Sequence, residues 1–281
     1  MKLTETWRQD WTAGWTSLVP LHVNGSTYLL SYKDGSGAAA LDRINTDGEL
    51  SEVWRQEWTL GWTSLVPLHV DGSTYLLSYK NGSGAAALDR INSNGELSEV
   101  WRQDWTQGWT SLVPLHVDGS TYLLSYKNGS GAAALDRINS NGELSEVWRQ
   151  DWTQGWTSLV PLHVNGSTYL LSYKNGSGAA ALDRINSNGE LSEVWRQDWT
   201  QGWTSLVPLH VNGSTYLLSY KNGSGAAASD LIHPNGTLTQ DWRQDWTAGW
   251  TSFVPLRVSD VLYLLSYKGE SGAAALDRIT A

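Results

Sequence analysis

The stretch WRQDWTQGWTSLVPLHV, residues 101–117, decides the fold, because close copies of it recur along the whole chain. Trp101 lies 47 residues after Trp54 and 47 before Trp148. The chain has 281 residues, 18 Trp and 12 Tyr, so each of six copies carries three Trp and two Tyr. A fixed period of this length is typical of repeat architectures. We therefore predict one domain of six 47-residue repeats over residues 1–281.

Each repeat reads as four short strands separated by tight turns. In the first copy the predicted strands are residues 15–23, 26–33, 38–45 and 50–58. Asn24-Gly25 separates the first two strands, and Asp47-Gly48 precedes the fourth; such dipeptides favour two-residue hairpins. Four antiparallel strands at this period match a β-propeller blade. The predicted fold class is all-β, a six-bladed β-propeller of four-stranded antiparallel blades.

The phase of the repeat at the two chain ends predicts how the propeller closes. Residues 3–11 correspond to the fourth strand of a repeat, and residues 273–279 correspond to the third. The N-terminal strand can therefore complete the last blade and close the ring, which removes an open sheet edge. Two alternatives stay open: two three-repeat β-trefoils, and a helical reading of the four-residue Trp spacing, which the Gly-rich surroundings disfavour.

Composition excludes several functional classes. The chain has no Cys, so it has neither disulfides nor a thiol nucleophile. The formal net charge of −9 argues against nucleic-acid partners, and the absence of a long apolar run argues against membrane insertion. No signal peptide is visible at the start, so we expect a cytoplasmic or non-classically secreted protein. A monomer is the favoured oligomeric state.

The loops that follow the fourth and second strands of each repeat are predicted to share one face, which carries aromatic and polar residues. A small polar ligand requires an apolar wall with a few placed polar groups, and loops on a rigid scaffold can supply both. The six predicted stacking residues are Trp11, Trp58, Trp105, Trp152, Trp199 and Trp246. The predicted hydrogen-bonding residues are Lys33, Lys80, Lys127, Lys174, Lys221, Lys268, Asn81, Asn128, Asn175 and Asn222.

Other recurring polar residues have structural interpretations. Asp42-Arg43 and its copies are predicted to form a structural ion pair or turn brace. Five His residues and Arg257 occupy one position of the first strand, where they are expected to line a wet channel rather than bind a metal. No catalytic motif appears, and six like environments offer no groups with unlike roles. We therefore predict no enzyme, no metal and no cofactor.

The Trp-rich repeat, the four-strand unit and the near identity of the copies resemble the β-propeller lectins of the tectonin and tachylectin-2-like kind. The resemblance implies carbohydrate binding at one site per blade, often from loops of adjacent blades, with glycans as partners. The leading hypothesis is a multivalent lectin with up to six equivalent sites. The alternative is a structural or protein-interaction propeller without a small ligand. Repeat five is the predicted place for asymmetry, since Ser229, Leu231, His233 and Pro234 depart from the pattern.

Overall fold

A computed structural model describes residues 1–280, and its regular elements are 24 β-strands. The strands form six four-stranded antiparallel sheets, which are the blades of a β-propeller. Blade one contains β2 (Ser17–Val23), β3 (Ser26–Tyr32), β4 (Ala38–Ile44) and β5 (Leu50–Glu57). Blade two contains β6 (Ser64–Val70), β7 (Ser73–Tyr79), β8 (Ala85–Ile91) and β9 (Leu97–Asp104). Blade three contains β10 (Ser111–Val117), β11 (Ser120–Tyr126), β12 (Ala132–Ile138) and β13 (Leu144–Asp151).

The remaining blades repeat this order. Blade four contains β14 (Ser158–Val164), β15 (Ser167–Tyr173), β16 (Ala179–Ile185) and β17 (Leu191–Asp198). Blade five contains β18 (Ser205–Val211), β19 (Ser214–Tyr220), β20 (Ala226–Ile232) and β21 (Leu238–Asp245). Blade six contains β22 (Ser252–Val258), β23 (Val261–Tyr267), β24 (Ala273–Thr280) and, from the other end of the chain, β1 (Lys2–Asp10). The predicted strands, and the predicted use of the N-terminal strand in the last blade, are confirmed.

The two alternative folds are wrong. Each repeat forms its own four-stranded meander, whereas the repeats of a β-trefoil pair their strands into a shared barrel. The Trp residues spaced by four lie in strands and loops rather than in a helix. Asn24 and Gly25 both have positive φ, at 47° and 78°, as a tight hairpin with right-handed twist requires.

The described residues group into two compact units of three blades each. Residues 109–249 contain blades three, four and five, and residues 2–108 with 250–280 contain blades six, one and two. The prediction of a single domain stays a prediction. The described part of the chain contains no helix that is long and apolar enough to cross a bilayer.

The second strand of each blade forms the core of its blade. In blade four, β15 is buried along nearly its whole length, and Tyr173 has no exposed surface. Side chains of alternating direction bury both faces of the sheet, which is why the strand is apolar at odd and even positions. Thr168 donates a hydrogen bond across the blades to the His116 carbonyl at 2.7 Å, so polar side chains also connect neighbouring blades.

Several hydrogen bonds fix the loop that joins blades four and five to blade four. The Tyr173 hydroxyl donates to the Thr200 carbonyl at 2.8 Å and accepts from the Trp203 amide at 3.3 Å. The Trp199 amide donates to the Gly178 carbonyl at 2.8 Å, and the Gly202 amide donates to the Asn175 carbonyl at 3.1 Å. This loop therefore holds its two Trp side chains in fixed positions beside blade five.

Candidate functional site

A bulge in the outer strand of each blade determines which side chains share a face. In blade five, Ser229 of β20 pairs with Trp242 of β21, and Asp230 pairs with Gln240, so Asp241 is the extra residue. Bulges re-aim side chains and bend the strand that contains them. Here the carboxylate of Asp230 meets the guanidinium of Arg243, with Nη2 and Oδ1 2.8 Å apart.

A cavity of about 430 Å³ lies between blades four and five, and we call it the blade-five groove. This volume is within the range typical of sites for small organic ligands. The groove combines aromatic, amide, hydroxyl and charged groups in one concave surface. Its lining residues are Gln197, Trp199, Thr200, Trp203, Ser219, Asp230, Thr237, Leu238 and Arg243.

Two indoles form the apolar wall of the blade-five groove. The Trp199 ring lies 5.8 Å from the Trp195 ring and 6.0 Å from the Tyr173 ring, and its Nε1 donates to Gln197 at 3.4 Å. Trp203 is half-buried, whereas its five copies are buried. The exposed fractions of the five copies are 5 to 9%, so Trp203 is the most exposed residue of this set.

The polar side of the groove is the Asp230–Arg243 pair. Arg243 Nη1 also donates to the Ser229 carbonyl at 3.3 Å and to the Trp242 carbonyl at 3.0 Å, which fixes the guanidinium plane. A guanidinium offers only donors and a carboxylate offers only acceptors. The pair can therefore donate to one hydroxyl of a ligand and accept from the next.

The structure places the predicted stacking residues at the ends of the outer strands or in the loops that follow them. Trp199 lines the blade-five groove, while Lys221 and Asn175 flank the loop but are not among the lining residues. Each predicted Lys ammonium lies 4.7 to 5.0 Å from the ring centre of a Trp in the loop that leads into its own blade. Such cation–π contacts occupy the ammonium group. The ligand-binding roles of the Trp, Lys and Asn sets stay predictions.

Sequence reasoning missed Asp230 and Arg243 as site residues. It also paired the repeated Asp, which is Asp42 and its copies, with the wrong cation. Arg43 donates to Ser26 Oγ at 3.0 Å instead of bracing Asp42, because consecutive strand residues point to opposite faces. The cation that reaches the repeated Asp is the Arg on the neighbouring outer strand, as in the Arg196–Asp183 pair at 3.2 Å. The signal that could have shown this is the alternation of side chains along a strand, which places Asp42 and Arg43 on opposite faces of the sheet.

The repeated Asp has an unusual electrostatic environment in five blades. Burial raises the pKa of Asp42, while Arg55 lowers it and Glu52, directly opposite on the partner strand, raises it. Burial also raises the pKa of the copies Asp89, Asp136, Asp183 and Asp277. Two facing carboxylates repel each other. In blade five the facing residue is the neutral Gln240.

The His residues of the first strands have a defined tautomer. Thr168 has a single hydroxyl proton and donates it to the His116 carbonyl, so His163 Nδ1, at 3.2 Å from Thr168 Oγ1, must be the donor. The His163 ring lies 6.4 Å from the His116 ring and 6.3 Å from the His210 ring. Among the described residues, no group of three or more His, Asp or Glu is arranged to hold a metal ion.

We expect the buried His residues to destabilise the folded chain as the pH falls below 6.5. Burial lowers the pKa of His22, His116 and His163 below the unfolded value of 6.5, so the unfolded state takes up protons first. Stability is lost through this window, until the pH reaches the folded pKa values. Chemical denaturation from pH 7.5 to 5.5 measures the loss, and His163→Gln is expected to reduce its slope. An unchanged slope in that variant would contradict the assignment.

Comparison with known proteins shows the fold and leaves the family open. No protein-family profile matches the chain, and no curated protein matches it. A Bacteroides uniformis ATCC 8492 protein provisionally assigned as a 6-phosphogluconolactonase is similar, with 16% identity, a TM-score of 0.58, and coverage of 94% of this chain and 85% of that chain. A Bacteroides fragilis NCTC 9343 protein with the same provisional assignment has 18% identity, a TM-score of 0.57, and coverage of 94% and 84%.

A third structure is a functionally unknown protein from Desulfotomaculum acetoxidans DSM 771. It has 10% identity and a TM-score of 0.57, with coverage of 90% of this chain and 83% of that chain. Likeness at these identities shows the propeller fold alone. These neighbours are not tectonin-type lectins, so the resemblance inferred from the sequence is confirmed only for the fold.

The prediction that the chain is not an enzyme is wrong. Two propellers of similar fold carry a provisional enzymatic assignment, so the propeller fold is no argument against catalysis. The prediction assumed six like environments. Blade five differs from its copies at Thr237, which lines the groove, and at Gln240, which pairs with the lining residue Asp230.

Proposed function

We propose that the protein binds carbohydrate, in grooves between adjacent blades. The observation that carries the proposal is the blade-five groove, where the indoles of Trp199 and Trp203 lie beside the Asp230–Arg243 pair in a cavity of about 430 Å³. The apolar C–H face of a sugar ring stacks on an indole, and its hydroxyls need both donors and acceptors. A monosaccharide unit meets both requirements in this groove.

Equivalent residues support more than one site per chain. Between blades three and four the equivalent positions hold Gln150, Trp152, Trp156, Asp183 and Arg196. A protein with several weak sugar sites gains avidity on a glycan-coated surface without any stronger single contact. This is the multivalent lectin function, with glycans or glycoconjugates as partners.

We expect the intact protein to bind saccharides, and Trp199→Phe to weaken binding about three- to tenfold because the stacking surface shrinks while the contact with Tyr173 is kept. A glycan array followed by isothermal titration measures both effects. Leu60→Gln is the control, since it converts an exposed residue to the one found in the copies Gln107, Gln154 and Gln201. A folded protein that binds no saccharide would refute the proposal and favour a protein-interaction propeller.

A further inference from the structure

Blade five lacks two carboxylates that its copies carry, one at the groove-lining position of Thr237 and one at Gln240, which lies opposite Asp230. Glu190 and Glu193 of blade four correspond to Thr237 and Gln240 of blade five. The copies in blades one, two and three also carry Glu at both positions: Glu49, Glu52, Glu96, Glu99, Glu143 and Glu146. With the repeated Asp and Arg, the four copies thus have three carboxylates and one guanidinium at these positions, whereas blade five has one of each. Asp241, which is Val in those copies, is paired with the N-terminal amine at 2.8 Å and does not line the groove.

The missing Glu changes the partner of the groove arginine. In blades one and three, Nε of Arg55 and Arg149 lies 2.5 Å from the Glu three residues earlier. Arg196 of blade four is shared between Asp183 at 3.2 Å and Glu193 at 3.3 Å. In blade five Gln240 is neutral, and Arg243 pairs with Asp230 at 2.8 Å. The guanidinium therefore pairs with Asp230, and both side chains line the blade-five groove.

The cavity between blades one and two has a different lining from the blade-five groove. The cavity between blades one and two, about 410 Å³, is lined by Trp54, Gln56, Asn92, Glu96, Leu97 and Ser98. It lies at the hairpin end of the groove and does not include Trp58 or Trp62. The blade-five cavity reaches both equivalent indoles and the Asp–Arg pair. Access to the aromatic wall therefore distinguishes blade five from this copy.

We infer that the blade-five groove is the strongest saccharide site of the chain and that it selects a neutral sugar unit with two adjacent hydroxyls. The inference rests on the proposed function. Arg243 donates to one hydroxyl while Asp230 accepts from its neighbour, and the stack on Trp199 and Trp203 holds the ring. A carboxylate sugar would face Asp230 without a free counter-charge, since Arg243 is already paired.

The test restores the two carboxylates in blade five and removes them in blade four. Thr237→Glu with Gln240→Glu is expected to weaken binding of a neutral monosaccharide at least tenfold, measured by isothermal titration. Glu190→Thr with Glu193→Gln is expected to add one binding site of comparable affinity. Gln107→Glu with Gln154→Glu adds two carboxylates in exposed loops and is expected to leave binding unchanged. Circular dichroism confirms that each variant is folded.

The outcomes separate this inference from the proposed function. If the intact protein binds saccharides and the blade-five double variant binds them equally well, the inference is overturned and the proposed function stands. Tighter binding of a uronic acid than of the neutral sugar overturns the inferred selectivity. If the intact folded protein binds no saccharide, both the proposed function and the inference are refuted. The gain of a site in blade four supports the inference even if the blade-five variant unfolds.

Discussion

Gly178→Ala is expected to destabilise the protein by about 2–4 kcal/mol and to displace the loop that carries Trp199 and Trp203. Gly178 has a φ of 81°, which strains any residue with a side chain. A Cβ at this position would also overlap the carbonyl oxygen of Trp199. That backbone cannot retreat, because the Trp199 amide donates to the Gly178 carbonyl at 2.8 Å.

The same loop offers a matched control for this variant. A methyl group added at the exposed Gly176 would have no heavy atom within 4 Å, so Gly176→Ala is expected to change stability by less than about 0.5 kcal/mol. Guanidinium denaturation measures both midpoints. Equal midpoints for the two variants would show that the contact with Trp199 does not hold the groove.

Tyr173→Phe is expected to cost about 1–2 kcal/mol, because it leaves the Thr200 carbonyl and the Trp203 amide without their shared partner. The hydroxyl donates to Thr200 and accepts from the Trp203 amide, and the side chain has no exposed surface through which water could replace it. The loss of both bonds releases the middle of the loop between blades four and five. We therefore expect weaker saccharide binding as well as lower stability.

Tyr169→Phe is the comparison for this second variant. Its hydroxyl makes one hydrogen bond, to the carbonyl of Pro234 at 2.8 Å in an exposed turn, where water can replace it. The expected cost is about 1 kcal/mol or less. Denaturation midpoints compare the stability of the two variants, and saccharide titrations compare their affinity. A Tyr173→Phe protein as stable as Tyr169→Phe, with unchanged binding, would show that the loop is held by other contacts.

The candidate site was only partly predictable from the sequence. Trp199 could be placed next to a loop because its position is the last residue of the predicted fourth strand in every repeat. Asp230 and Arg243 could not be paired, since their contact depends on the bulge at Asp241, and neither period nor composition reveals a one-residue insertion into a strand pair. Lys221 was predicted to face a ligand, but its ammonium lies 4.8 Å from the Trp203 ring centre.

The sequence by itself determined the six blades, the hairpin turns and the use of the first strand in the last blade. These features depend on local rules: a fixed period, positive φ at Asn-Gly turns, and alternation of side chains along a strand. Only the tertiary structure showed which groove gives access to both indoles and to the Asp–Arg pair. Blade five differs from its copies at Thr237 and Gln240, and Asp230 and Arg243 come within 2.8 Å of each other beside Trp199 only in the folded chain. Charges of residues distant in the chain combine only through folding, so repeats that are alike in sequence are unlike as sites.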